Sequence, residues 1–200
     1  MTHKPQKHTP PAWARLPDRI EDIDHQQANA DTAGISRDRA KTVLYGSMYG
    51  QGPSSLAQSL DITYAEAREI IEAFTVGIEG FRELRLSLIR EFNQGGRIRL
   101  IDGRRLQVSS THKLLNYAIQ GDAAILMKHW VMETAKCLSD TSYRTIAVVH
   151  DEIQSECLPE DVDQAKETME QTSTDVGENL GFGIRIDAAA KAGSSWRETH

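Results

Sequence analysis

The sequence predicts an α+β protein, with helices first and antiparallel hairpins after them. Three observations carry that reading. Apolar residues recur at helical spacing from Ile35 to Phe92, broken by glycines; strand-like pairs flank the turn signals Asp102-Gly103 and His150-Asp151-Glu152; and no strand pattern alternates with helix patterns as in a βαβ unit. No internal repeat is visible.

Four of the six prolines fall between Met1 and Pro17, a segment without helical or strand periodicity that reads as a flexible arm. The first helix is expected over Ile35–Gly50, opened by Ser36 or a neighbour and ended by Gly50 and Gly52, with Pro53 beyond. A second starts at Thr63, where Glu66 completes a capping box, and turns Ala67, Ile70, Ile71 and Phe74 inward until Gly77 and Gly80 break it. A third runs from Phe81 to Phe92 on Phe81, Leu84, Leu88 and Phe92, stopped by Gly95-Gly96. Residues 97–101 and 104–108 flank Asp102-Gly103 as a tight hairpin. A long helix follows over Thr111–Cys137. Thr145–Val149 reads as a buried strand, His150-Asp151-Glu152 as a turn and Ile153–Cys157 as the returning strand. Pro159 stands in the first turn of another amphipathic helix that ends near Gly177, and Gly183–Asp187 is expected as a last strand.

The chain has 200 residues, 39% hydrophobic and 26% charged, which describes a soluble globular protein and excludes a fibre or a disordered tail. No apolar run approaches the roughly 20 residues of a membrane-spanning helix. Met1–Pro17 lacks the apolar segment of a secretory signal, so a cytoplasmic product is expected. Cys137 and Cys157 make neither a metal-ligand spacing nor a disulfide framework and read as reduced. The net charge of -6 is unevenly spread. Between Phe81 and Lys113 eight basic residues face three acids, whereas between Asp151 and Leu180 ten acids face only Lys166. The first stretch could hold a polyanion and part of the second metal ions; the same counts also describe two solvated faces.

Arg37, Lys41, Tyr45 and Tyr49 recur every four residues on the first helix, a step that drifts only about 40° around the axis. Two cations at its N-terminal end can grip phosphates, and the rings further along can stack on a sugar or base, with Gly46 and Gly50 leaving room for something flat. The carboxylates of Asp151 and Glu152 sit at a hairpin tip, and fixed carboxylates suit hard Mg²⁺ ions in phosphoryl transfer. On the long helix His112, Asn116 and Gln120 form a polar stripe beside Leu115, Ile119, Ala123 and Leu126; side-chain amides can donate to minor-groove acceptors. Arg104 and Arg105 add phosphate contacts that read no sequence. Taken singly, each pattern is equally that of an ordinary solvated surface.

Together and in this order they resemble family A DNA polymerases. Arg37-x3-Lys41-x3-Tyr45-x3-Tyr49-Gly50 resembles the fingers helix, motif B; IDGRRLQV, NYAIQGDAA and VVHDEIQ resemble the palm segments that follow, the last being motif C; and DIDH, ending sixteen positions before Lys41, is similar to the family's Asp-Ile-His approach. The resemblance spans about Asp22 to His200. Tyr45 and the ending from Gly193 to His200 look closer to phage replicative polymerases, whereas Phe81-Arg-Glu-Leu with its short connection is more like the compact bacterial form.

The resemblance implies a right-hand polymerase fold with residues 1–21 as a flexible arm, 22–96 as the helical fingers and 97–200 as the C-terminal part of an antiparallel palm sheet. It implies that His25, Arg37 and Lys41 hold the triphosphate of a deoxynucleoside triphosphate, with Lys41 protonating the leaving pyrophosphate. Tyr45 would lie under the sugar and base and Tyr49 near the templating base. Asp151 would bind Mg²⁺ with Glu152 in support, His150 would contact the primer end, and Asn116, Gln120 and His112 would track the minor groove of the primer-template. The family's second metal-binding aspartate, on the motif A strand, lies upstream of the histidine that His25 matches. Only twenty-four residues precede His25, and none resembles that strand. The expectation is therefore the C-terminal portion of a split or truncated polymerase, active with an N-terminal fragment that supplies motif A. A catalytically inactive DNA-binding or regulatory relic is the alternative. A stand-alone metal-dependent phosphohydrolase would need a second carboxylate cluster near Asp151, which the sequence lacks.

Overall fold

The computed structural model describes residues 35–199 except Glu79, and of Arg37 the backbone alone. The expected arm and His25 lie outside the described residues. The described chain divides into two compact units, which meet in sequence between Gln120 and Gly121.

The first unit opens with α1 (Arg37–Met48), whose N-cap Ser36 accepts a hydrogen bond from the Arg39 N–H at 3.4 Å. Helix α2 (Pro53–Leu60) is absent from the sequence expectation, which took Gly52-Pro53 as a stop signal. It is a start signal: proline in the first turn lacks only an N–H that would have no intrahelical partner there. Helix α3 (Tyr64–Gly77) carries the expected capping box. Glu66 N–H donates to Thr63 Oγ1 at 3.2 Å while Thr63 N–H donates to Glu66 Oε2 at 2.8 Å. These donors, the Thr63 backbone first and its hydroxyl second, hold the Glu66 carboxyl below its usual value. Ala40, Val43, Leu56, Ala67 and Phe74 from the three helices form one core, with Leu44, Ile70 and Ile71 packed against it. Helix α4 (Phe81–Asn93) follows and packs along the hairpin of β1 (Arg97–Arg99) and β2 (Arg105–Gln107). Gly103, at φ +87°, closes the hairpin turn, a backbone angle that favours glycine.

A 3₁₀ turn (Thr111–Lys113) then leads into α5 (Leu114–Cys137), so the long helix begins three residues later than expected. His112 therefore stands before the helix and not on the stripe of Asn116 and Gln120. The buried positions of α5 also differ from the expected Leu115, Ile119, Ala123 and Leu126: Leu114, Leu115, Ala118 and Ile125 are buried, and Ala123 is exposed. The inward stripe runs through Leu114, Ala118, Asp122 and Ile125, one position earlier at the same helical spacing, and its polar member Asp122 hides it from an apolar pattern.

In the second unit β3 (Arg144–Val149) pairs antiparallel with β4 (Glu152–Glu156), with an irregular register between Thr145 and Ala147. The strand expected to be buried is covered on one face only, leaving Ile146 61% and Val148 49% exposed, because a sheet of two strands has a second face with nothing on it among the described residues. A second 3₁₀ turn (Pro159–Asp161) opens α6 (Val162–Leu180), which passes the expected end at Gly177 and stops at Gly181, φ +82°. Gly177 is a contact site, not a terminator: a Cβ there would lie 2.8 Å from Ile186 Cγ1. The expected strand Gly183–Asp187 is not a strand. It has no ladder partner among the described residues, and its Ile186 carbonyl accepts hydrogen bonds from Ser173 Oγ and Thr174 Oγ1 of α6, each at 3.2 Å. The chain ends in the short helix α7 (Trp196–Thr199). Buried Thr134 and Thr172 link α5 to α6, their Oγ1 atoms 2.8 Å apart, and Trp130 Nε1 donates to the Met169 carbonyl at 2.9 Å. Both cysteines are free thiols. No helix among the described residues is long and apolar enough to cross a membrane.

Asp161 ties the start of α6 to the loop before β3. Its carboxylate accepts from both the hydroxyl and the N–H of Ser142, while Leu158 N–H donates to the same hydroxyl oxygen at 2.7 Å. The Ser142 donors hold the Asp161 carboxyl below its ordinary value of 3.8. A depressed folded-state value stabilises the fold above the unfolded value and loses that contribution as the pH falls through the folded one. Asp161→Ala should therefore melt lower than the parent at pH 7, with the gap shrinking below about pH 4. Thermal unfolding of both proteins across that range checks it.

Candidate nucleotide and nucleic-acid site

Helix α1 turns Ala40, Val43 and Gly46 inward and leaves Lys41, Thr42, Tyr45 and Tyr49 exposed, as the four-residue spacing requires. Tyr49 is the C-cap, and its N–H donates to the Tyr45 carbonyl at 2.9 Å, so the two rings stay in succession past the last turn. The Lys41 ammonium stands 6.0 Å from the Tyr45 ring centroid, at the outer limit of a cation–π contact. These residues line an open cavity of about 720 Å³, together with Gly46, Gly50, Gln51, Ser55, His112 and Lys113. The volume is that of a small-molecule site.

The room beside the two glycines is not free for a flat ligand, as the sequence reading expected. At Gly50, φ +78°, a Cβ would lie 2.1 Å from the His112 carbonyl oxygen, and at Gly46 it would meet the Gln51 amide oxygen at 2.2 Å. Protein fills both spaces. The Gly50 contact draws the end of α1 against the 3₁₀ turn and so brings His112 and Lys113 onto the cavity wall. Beyond it, Gln120 Nε2 stands 3.5 Å from Tyr49 Oη, joining the ring at the end of the tyrosine stripe to the amide stripe of α5. Asn116 is half-buried and Gln120 exposed. His112 is oriented by Ser110, whose Oγ is 3.2 Å from its Nδ1.

Sequence reasoning missed Thr42, Gln51, Ser55 and Lys113. Gln51 spans to α2, donating through Nε2 to Ser55 Oγ at 3.0 Å and Ser59 Oγ at 2.9 Å. The signal that could have found it was Gly52-Pro53 read as a helix start, which brings Ser55 back beside the end of α1. Of the two arginines after the hairpin turn, Arg104 is engaged by Asp102, whose carboxylate accepts its Nε at 2.6 Å. Arg105 is exposed on β2.

In the second unit, Val149 and Glu152 form the last pair of the β3–β4 hairpin, leaving His150 and Asp151 as a two-residue turn. His150 has φ +54°, a left-handed conformation in which a side chain is strained, and such strain persists where surrounding structure enforces it. His150, Asp151 and Glu152 are exposed, and Glu152 Oε2 accepts from Gln154 Nε2 at 3.2 Å. The hard oxygen donors suit Mg²⁺, which binds through one or two carboxylates plus substrate phosphates. They make only part of a site: among the described residues no three His, Cys, Asp or Glu side chains gather to hold a metal ion.

The model of DNA polymerase family A matches residues 15–198. The DNA-directed DNA polymerase of Escherichia phage T7 is 28% identical over 188 residues, and that of Enterobacteria phage T3 is 27% identical over 188; each match covers 82% of this chain and 27% of the phage protein. DNA polymerase I of Lactococcus lactis is 26% identical over 182 residues, covering 84% of this chain and 20% of that protein. The chain thus spans about a quarter of the length of the curated relatives it matches. The POL domain of Pol1 from M. smegmatis, solved in complex with DNA primer-template and dNTP, superposes with a TM-score of 0.73 at 20% identity, over 82% of this chain and 32% of that one. At that identity the likeness is one of fold.

Replacing Gly50 tests the backbone approach on which the cavity depends. Gly50→Ala should cost at least about 1–2 kcal/mol from the left-handed angle alone, with more from the displaced His112 carbonyl. Chemical denaturation measures that cost.

Proposed function

Because this chain belongs to DNA polymerase family A, we propose that it carries the nucleotide-receiving and motif C portion of a DNA-directed DNA polymerase, acting on primer-template DNA and deoxynucleoside triphosphates. Residues 22–96 serve as fingers and 97–200 as the C-terminal part of the palm, with 1–21 as an arm. The observation that carries the reading is the cavity on α1, where Lys41 and two successive rings line one wall and the second ring, Tyr49, meets the amide of Gln120 just beyond it. Such a set suits a ligand with a phosphate end and a flat end.

In this reading His25, Arg37 and Lys41 hold the triphosphate, the charge-assisted contacts fixing it in line with the primer end. Lys41 also donates a proton to the leaving pyrophosphate oxygen. Tyr45 lies against the sugar and base, and Tyr49 near the templating base. Asn116, Gln120 and His112 donate to minor-groove acceptors of the new pair, a contact common to every correct base pair. Arg105 contacts phosphates, and Arg104 does so only on leaving Asp102. His150 contacts the primer end. Asp151, supported by Glu152, contributes a carboxylate to a Mg²⁺ site completed by the nucleotide phosphates and by a carboxylate from a motif A strand elsewhere. When bound, the metal lowers the charge barrier to attack by the primer hydroxyl. The reaction belongs to DNA replication in a bacterial cytoplasm.

The test is primer extension with Mg²⁺, with and without a fragment carrying motif A. Template-dependent extension should appear with the fragment and be absent from the isolated chain. Extension by the homogeneous chain alone would overturn the shared-site reading, and no activity with any matching fragment would favour an inactive relic.

Two substitutions sharpen the assignment. Asp151→Asn keeps the shape and removes the charge a metal requires, so extension should fall at least about a hundredfold, the loss of several kcal/mol of metal stabilisation, with DNA affinity retained. The Tyr45 hydroxyl can fill the region where a dideoxynucleotide lacks its 3′-hydroxyl. Tyr45→Phe should raise discrimination against chain terminators a few-fold to about tenfold, the worth of one hydrogen bond, with normal nucleotides little changed. Competition between dideoxy- and deoxynucleotides in the same assay reads it.

A further inference from the structure

The cavity, the Asp151 turn and the α5 amides all belong to the site already described; of the three arginines on the strands β1 and β2, Arg105 has been given a phosphate contact, whereas Arg97 and Arg99 have no role there. Directly opposed residues of an antiparallel pair point to the same face, as do alternate residues along a strand. The pairs Arg97–Gln107 and Arg99–Arg105 therefore share one face, and all four are exposed, while the intervening Ile98 is fully buried and Leu106 half-buried on the other. Along a strand, two residues advance about 6.8 Å, and cross-strand neighbours stand about 5 Å apart. Three guanidinium groups are crowded onto that area.

Like charges directly opposite one another destabilise a sheet. Arg99 and Arg105 are so placed, and Arg99 Nε stands 3.8 Å from Glu91 Oε1, a long ion pair. The face is also organised. Gln107 Nε2 donates to the Gly96 carbonyl at 2.9 Å, and its Oε1 accepts from Arg97 Nε at 3.1 Å, which orients that guanidinium. No aromatic or aliphatic side chain stands on this face to stack on bases or anchor a peptide. What remains is a grip for a polymer of regularly spaced anions.

We propose that this face binds the phosphodiester backbone of single-stranded nucleic acid, namely unpaired template approaching the cavity. Gln107 lies five residues before His112 on the cavity wall, at most about 17 Å of chain. This inference rests on the reading of the cavity as a nucleotide site, since the strand that feeds such a site ahead of synthesis is unpaired.

The full chain is titrated, by fluorescence anisotropy, with a primer-template bearing a long single-stranded 5′ template overhang, with the same duplex made blunt, and with polyglutamate. Arg97→Ser combined with Arg99→Ser should weaken binding of the overhang substrate about tenfold and lower the salt slope by about 1.4, two single-strand phosphate contacts. Blunt duplex should bind as before. Arg97→Lys with Arg99→Lys should keep most of the affinity, and Arg68→Ser, the same charge loss at an exposed position on α3, should change nothing. Arg99→Ser alone should bind overhang more weakly without melting lower, since it relieves the repulsion from Arg105; a merely structural arginine would melt lower. An equal loss on blunt duplex, a loss only for polyglutamate, or no loss overturns the proposal. Parent protein that binds no DNA overturns the functional reading as well.

Discussion

The close approach of Gly50 to the His112 carbonyl is the contact on which the first unit's site is built. It sets the C-terminal end of α1 against the turn that starts α5, and only a residue without a side chain permits it. Three consequences follow from that single backbone contact. The tyrosine stripe ends beside Gln120, His112 and Lys113 become walls of the cavity, and the C-terminal end of the helix is held by an element sixty-two residues away in sequence. The core of Val43, Leu56 and Phe74 supports this arrangement from behind, with α2 folded under the end of α1.

The second unit positions a turn in place of a cavity. Backbone pairing from Arg144–Glu156 to Val149–Glu152 forces a two-residue reversal at His150 and Asp151, and the cost is a non-glycine residue in left-handed backbone. The turn keeps a carboxylate fixed in solvent. The sheet that carries it has two strands and one uncovered apolar face among the described residues, and its metal-binding chemistry is likewise partial. An open strand edge accepts another strand, and a strand is a precise carrier for a further ligand.

Charge separates along the chain in a way its total conceals. A net -6 protein gathers eight of its 23 cations on one hairpin and the segments beside it, and there the fold sets arginine opposite arginine where an uncharged partner would be more stable. Such local cost is reasonable where an anion arrives to offset it.

Much of this was legible in the sequence, for identifiable reasons. The capping box at Thr63, the Asp102-Gly103 turn and the reversal at His150-Asp151 are short-range signals, in which the residues that decide the structure are neighbours. The stripe of Lys41, Tyr45 and Tyr49 was legible because helical periodicity alone determines which side chains share a face. Tertiary structure decided what depended on distant partners. Helix α2 formed where a proline looked like a stop, since a start and a stop differ only in what packs afterwards. Gly177 proved a contact with Ile186, and Gly183–Asp187 is not a strand: a ladder needs a partner, none stands beside it among the described residues, and its Ile186 carbonyl meets hydroxyls on α6. The join between Tyr49 and Gln120, seventy-one residues apart, was beyond any local pattern, because only the packing of Gly50 against His112 brings them together.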